Sequence, residues 1–208
     1  EIRTNRIAGN SRFETSIESL DAARSMGSES NTVVLAAGFG FADALSIGPW
    51  AYATASPIVL VNKDGVLTSD EVEAIAQDEY VKRIVIVGGT SVVSDEVEEQ
   101  LGKDYTYVRL SGEDRYQTNV NVTDWATRNG LAWTKPALAS GTRFPDALVG
   151  AALCGSFASP VVLDSELSLA ALLVHKATIS QGYILGGMAV VDDISGLTAN
   201  TRLNGVDI

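Results

Sequence analysis

Four arginines recur as two pairs, Arg6 with Arg12 and Arg109 with Arg115. The members of a pair stand six residues apart, and the second pair follows the first by 103 residues. A guanidinium presents a planar fork of donors that matches phosphate or carboxylate. An aspartate recurs at the same interval, Asp43 and Asp146. One reading gives the arginines to an anionic ligand. The other has Arg12 pair with Asp43 and Arg115 with Asp146, tying adjacent loops. The two are compatible if one fork faces inward and the other outward. The aspartates could be metal ligands or catalytic acids. Each stands alone among apolar neighbours near a helix start, where a carboxylate also serves as a cap or complements the helix dipole. Arg143 stands where copy one has Gly40, and either extends the basic edge or is an ordinary solvated side chain.

Other candidates carry less chemistry. Gly88-Gly89 and Gly186-Gly187 each follow an apolar run; they could cradle a phosphate or simply make a tight turn. Neither the GxGxxG nor the GKS/GKT phosphate-loop pattern occurs. His175 is the one histidine and has no counterpart in the first half, which excludes a repeated histidine base. Trp133, in a loop, could stack on a sugar ring or pack inward. Cys154 is the single cysteine, in an Ala- and Gly-rich run, and reads as a small buried residue. With one cysteine, no intrachain disulfide or zinc spacing exists.

These residues belong to a chain that repeats itself. AAGFGFADALSIGPWAYATASPIVLV from Ala36 is matched by ASGTRFPDALVGAALCGSFASPVVLD from Ala139. Gly38 recurs as Gly141, and Ser56-Pro57 as Ser159-Pro160. RIAGNSRFET at Arg6 is matched by RLSGEDRYQT at Arg109. Such a repeat defines two modules of about 100 residues, 1–104 and 105–208, near the usual domain size. Ser11 with Glu14, and Thr68 with Glu71, form capping-box patterns, and Asp114 with Gln117 a near equivalent. Helices are therefore predicted from Arg12, Arg115 and Thr68, and further ones over Ala42–Thr54 and from Ser94 to Leu101. Pro145 suits the first turn of the copy-two helix. Gly27 and Gly130 suit helix ends. Thr32–Ala37, Pro57–Asn62, Arg83–Val87 and Tyr105–Leu110 read as strands, with copy-two counterparts at Pro136–Ser140, Pro160–Asp164 and Tyr183–Leu185. An Asp192 cap, a strand near Thr201–Val206 and the echo Arg202–Asp207 complete the second copy. Continuous Val/Ile/Leu strands alternating with helices predict an α/β fold of two tandem three-layer modules, each a mainly parallel sheet flanked by helices. Arg109, Arg115, Gly141, Asp146 and Gly186-Gly187 then fall at carboxyl ends of strands, the edge where ligands bind in such sheets. The apolar small-residue helices Ala44–Ala55 and Ala147–Ala158 could pack module on module.

Composition bounds the rest. Hydrophobic content of 46% is enough for a core in each module, and 20% charged residues argue against disorder. A net charge of −11 disfavours nucleic acid and anionic membranes as partners, which require a basic footprint. No apolar run is long enough to span a bilayer, and EIRTNRIAGN does not read as a signal peptide.

The two openings, FADAL and FPDAL, PIVL and PVVL, and IVIVGGTSVVSDEV together resemble the bacterial cell-wall-binding repeat, second type, of clostridial and actinobacterial surface proteins. The likeness covers nearly the whole chain. It implies Toprim-like modules that come in threes around a pseudo-threefold axis, an extracellular, wall-associated location, and non-catalytic anchoring of a secreted protein. The implied partner is an anionic wall polysaccharide or teichoic-acid-like polymer, with no cofactor or metal and no membrane insertion. Alternatives are a protein–protein assembly module or part of a wall hydrolase. Residues at family positions include Arg6, Arg12, Arg109 and Arg115, expected to bind ligand with Arg143. Gly38, Asp43, Gly88, Gly89, Gly141, Asp146, Gly186 and Gly187 are expected to order the loops. Two full copies are present, and copy two is irregular over VHKATISQGYILGG. A further upstream repeat, or a second chain, is therefore expected to complete a groove between modules.

Overall fold

The computed structural model describes residues 3–187 and 191. In chain order the elements are α1 (Arg12–Ser25), β1 (Thr32–Ala37), α2 (Ala42–Ala53), β2 (Ile58–Val61), α3 (Ser69–Gln77), β3 (Arg83–Val87), α4 (Glu96–Leu101) and β4 (Thr106–Leu110). Then follow α5 (Arg115–Arg128), β5 (Ala137–Ala139), α6 (Phe144–Ser156), β6 (Val161–Leu163), α7 (Glu166–Val174) and β7 (Tyr183–Leu185). Helices and strands alternate as predicted, and α1 and α5 begin at Arg12 and Arg115. The predicted Asp192 cap, the Thr201–Val206 strand and the Arg202–Asp207 echo lie outside the described residues.

The chain forms two compact units. The first is the chain to Gly40 together with Ala55–Arg109; the second is Phe41–Thr54 together with the chain from Leu110. A segment of the first copy, carrying α2, thus belongs to the second unit.

In the first unit a four-stranded sheet has the order β2-β1-β3-β4. β1 runs parallel to both β2 and β3. Every residue of β1 is buried, consistent with its unbroken apolar sequence TVVLAA. One face carries Val33, Leu35, Val59, Val61, Ile84 and Ile86, packed with Leu20 of α1, Ile75 of α3 and Val97 of α4. Each such aliphatic chain, fully buried, contributes roughly 1.5–3 kcal/mol relative to exposure. α3 opens with a complete capping box: the Thr68 N–H donates to Glu71 Oε2 at 2.7 Å, and the Glu71 N–H donates to Thr68 Oγ1 at 3.3 Å. At α1 the box is only half made. Ser11 Oγ accepts the Glu14 N–H, but the Glu14 carboxylate turns one residue further back, to the Asn10 N–H at 2.7 Å.

The second unit has a parallel sheet of order β6-β5-β7. On one face Leu138 and Val162 pack with Trp133, Leu169 and Leu172. On the other, Ala137, Ala139, Val161 and Leu163 pack with Ala147 and Cys154 of α6 and with Ala42 and Leu45 of α2. α2 and α6 lie against each other closely enough that small residues are required. A Cβ on Gly48 would stand 2.8 Å from Ala151 Cβ, and one on Gly155 would stand 2.6 Å from Tyr52 Cβ. The two small-residue helices thus pack on each other within the second unit. α2 also meets α5: the Trp50 ring contacts Trp125 edge-on at 4.9 Å, and its Nε1–H donates to the Asn129 carbonyl at 2.9 Å. Asn119 of α5, fully buried, donates to Ser46 Oγ at 2.9 Å and accepts from the Leu163 N–H at 3.0 Å.

Candidate functional site

The repeated opening motif builds the same small machine in each unit. In the first, the Gly9 N–H donates to Thr15 Oγ1 at 3.0 Å, folding the approach to α1 back on its first turn. In the second, the Gly112 N–H donates to Thr118 Oγ1 at 2.9 Å. A Cβ at Gly9 or Gly112 would collide with the side chain at Glu14 or Gln117, so glycine is needed there. The first helical residue is then an arginine whose side chain reaches the loop beyond the first strand. Arg12 Nη1 donates to the Gly38 carbonyl at 2.7 Å, and Arg115 Nη1 donates to the Gly141 carbonyl at 2.8 Å. The next residue is aromatic and fills the space a side chain would take at that glycine. A Cβ on Gly38 would lie 2.6 Å from the Phe13 ring, and one on Gly141 would collide with the Tyr116 ring. Each Arg–aromatic dipeptide thus clamps one glycine at a strand's carboxyl end.

This geometry assigns the repeated residues. Arg115 reaches the Gly141 carbonyl, and no ion pair joins it to Asp146 among the described residues. Both Arg12 and Arg115 remain exposed. The Arg12 guanidinium also lies 5.0 Å from the centre of the Phe39 ring, and that of Arg115 lies 5.7 Å from Phe41. Arg109 differs: its guanidinium donates to the Val93 carbonyl at 2.8 Å and the Gly88 carbonyl at 3.3 Å, and pairs with Asp95 at 3.0 Å. It closes the turn between β3 and α4. Arg6 is exposed beside Thr4 and Asn5, and Arg143 is exposed at the N-cap of α6.

Gly88 and Gly186 adopt φ of 119° and 127°, the left-handed region that glycine tolerates. Gly89 and Gly187 have open space where a Cβ would be; their carbonyls accept N–H groups of the following turn, from Val93 at 3.0 Å and Val191 at 3.2 Å. Asp43 and Asp146 sit in the first turns of α2 and α6. Burial pushes the Asp43 carboxyl up, and the Arg115 charge partly offsets this. Among the described residues no group of three or more His, Cys, Asp or Glu side chains could hold a metal ion.

Trp133 is not available to a sugar. It is buried in the second unit's core and stacks on His175, with ring centres 4.6 Å apart and planes 7° apart. Thr15, Thr118, Phe13 and Tyr116 complete the clamps, and their recurrence within RIAGNSRFET and RLSGEDRYQT is the signal the sequence carries for them. Phe39, 63% exposed beside Arg12, had no such signal, because copy two has Thr142 there.

Comparison with known proteins gives the family. Residues 6–98 and 109–194 match Cell wall binding domain 2 (CWB2). The chain is 31% identical over 183 residues to the Amidase enhancer of Bacillus subtilis (strain 168), covering 86% of this chain and 24% of that protein. It is 28% identical over 193 residues to the N-acetylmuramoyl-L-alanine amidase LytC of the same organism, covering 91% and 36%. Among solved structures it resembles Cwp8 from Clostridium difficile at 26% identity and TM-score 0.79, over 96% of this chain and 33% of that one. It shares its fold with Cwp6 from Clostridium difficile at 21% identity and TM-score 0.82, over 97% and 31%. The chain thus spans about a quarter to about a third of these relatives. With two matched segments that between them take in both clamps, the chain belongs to the Cell wall binding domain 2 family and is an extracellular, cell-wall-associated binding module.

Proposed function

We propose that the chain anchors a longer secreted protein to the Gram-positive wall by binding an anionic wall polysaccharide or teichoic-acid-like polymer. The observation that carries this reading is the repeated clamp: Arg12 and Arg115 are each fixed by one hydrogen bond to a glycine carbonyl while remaining exposed at a strand's carboxyl end. A fork held in place loses less freedom when it meets a phosphate or carboxylate. Arg6 and Arg143 are added as exposed cations, each within its own unit, and Arg109 orders the turn between β3 and α4. Two weak sites on one chain gain by avidity. The repeats at 1–104 and 105–208, each read as Toprim-like, supply one clamp apiece. Because net charge is −11, attraction must be local, and binding weakens as salt rises.

The test is co-sedimentation with purified walls before and after acid extraction of their anionic polymers. Binding is expected to fall on extraction, at high salt, and in the Arg12→Ala/Arg115→Ala variant. Binding indifferent to all three would overturn the reading. A second role, packing against another protein, is favoured by α6, where Leu148 and Val149 are 54% and 66% exposed. Sedimentation velocity of Leu148→Ser/Val149→Ser against the unaltered chain tests it for a second copy as the partner: self-association that does not change between the two would exclude these residues as a contact between copies.

A further inference from the structure

We propose that Phe39 is a stacking platform for a sugar ring of the wall polymer, set beside the Arg12 fork; this rests on the polymer-binding reading above. Phe39 is 63% exposed, the most exposed aromatic side chain among the described residues. Leaving a phenyl ring in water forgoes the stabilisation its burial would give. The clamp does not need a ring at this position, because in copy two the ring beside Arg115 is that of Phe41, at 5.7 Å. In copy two the same position is Thr142, and Arg115 still reaches the Gly141 carbonyl at 2.8 Å.

The ring is nevertheless held in place. Phe13 meets it at 5.8 Å between centres with a 50° tilt, and the Arg12 guanidinium lies 5.0 Å from its centre. Arg12 is itself fixed through Nη1 to the Gly38 carbonyl, so ring and charge form one preorganised pair. Gly40, next in the chain, adds no side chain beside the ring. A pyranose presents a C–H face that packs on an aromatic surface, and an anionic substituent on the same or the next residue is what a neighbouring guanidinium would take. A neutral glycan would use the ring alone, and a bare phosphate only the arginine. A charged saccharide uses both.

The experiment compares the unaltered chain with Phe39→Ala, Phe39→Trp and Arg12→Ala/Arg115→Ala in co-sedimentation with purified Gram-positive walls, untreated and acid-extracted. Phe39→Ala is expected to weaken binding to untreated walls by about fivefold to tenfold. Phe39→Trp is expected to retain binding and to gain a fluorescence change, absent from the unaltered chain, when polymer extracted from those walls is added. Wild-type binding by Phe39→Ala, with loss in the arginine variant, would overturn the platform and leave the polymer reading standing. An equal loss by Phe39→Ala on extracted walls would also overturn it, because the ring would then contact peptidoglycan. If the arginine variant and acid extraction both leave binding unchanged, the polymer reading falls and the platform with it. Circular dichroism and the thermal midpoint, expected to be unaltered for an exposed ring, separate loss of binding from loss of fold.

Discussion

Arg115 Nη1 donates to the carbonyl of Gly141 at 2.8 Å, the counterpart of Arg12 to Gly38 at 2.7 Å. In both places the aromatic residue after the arginine occupies the volume where a side chain at the glycine would stand. Gly38→Ala would put a Cβ 2.6 Å from the Phe13 ring and 2.9 Å from the Val61 carbonyl. Gly38→Ala and Gly141→Ala are each expected to destabilise by about 1–3 kcal/mol. Gly89→Ala, with nothing within 4 Å, should change stability by less than about 0.5 kcal/mol. Urea unfolding of the three variants checks the contrast; equal effects would mean the rings give way freely.

Two alanines hold the same unfavourable backbone at the ends of equivalent helices. Ala55 has φ of 50° and Ala158 has φ of 48°, where glycine is the usual residue after a helix. Relieving the Cβ clash outweighs the extra freedom glycine has in the unfolded chain. Ala55→Gly and Ala158→Gly should each stabilise by about 0.5–1 kcal/mol. Thermal melts that fall in both variants would refute this.

Glu71 caps α3 from a fully buried position, and its Oε1 has no partner among the described residues. Burial raises its carboxyl above the ordinary value, which the hydrogen bonds from Thr68 only partly offset. The folded state therefore holds this proton more tightly than the unfolded chain. The resulting stability is fully present below the ordinary glutamate value and is lost as pH rises through the raised folded value. Glu71→Gln should flatten that part of the stability-against-pH curve. A slope unchanged by the substitution would assign the pH dependence to other groups.

Cys154 is buried in the second unit's core and its thiol is pushed up to about 12. Thiolate, not thiol, reacts with disulfide reagents. Native protein should therefore react negligibly with Ellman's reagent at neutral pH, and one thiol should appear on addition of denaturant. Rapid labelling of the native protein would show that this core opens.

Much of this was legible in the chain because it is locally encoded. The side chains of Ser11 and Asp114 cap α1 and α5, so the starts at Arg12 and Arg115 could be read from neighbouring residues. TVVLAA and RIVIV could be read as buried strands because they have no polar face. The clamp was half legible: its arginine and glycine recur, but their partnership spans 26 residues and an aspartate offered an equally plausible partner.

The sequence by itself determined the two copies, the alternation of helix and strand, and the start of α1 and α5 at an arginine. Each of these follows from periodicity, caps and spacing within a few turns of chain. Only the tertiary structure decided where the side chains point. It gave the Arg115 fork to a carbonyl, closed Arg109 into a turn, buried Trp133 against His175 and left Phe39 in solvent. It also set α2 of copy one among the helices of the second unit, through Gly48, Ala151, Tyr52 and Gly155. Those outcomes depend on which distant surfaces fit at van der Waals distance, and no local pattern carries that information.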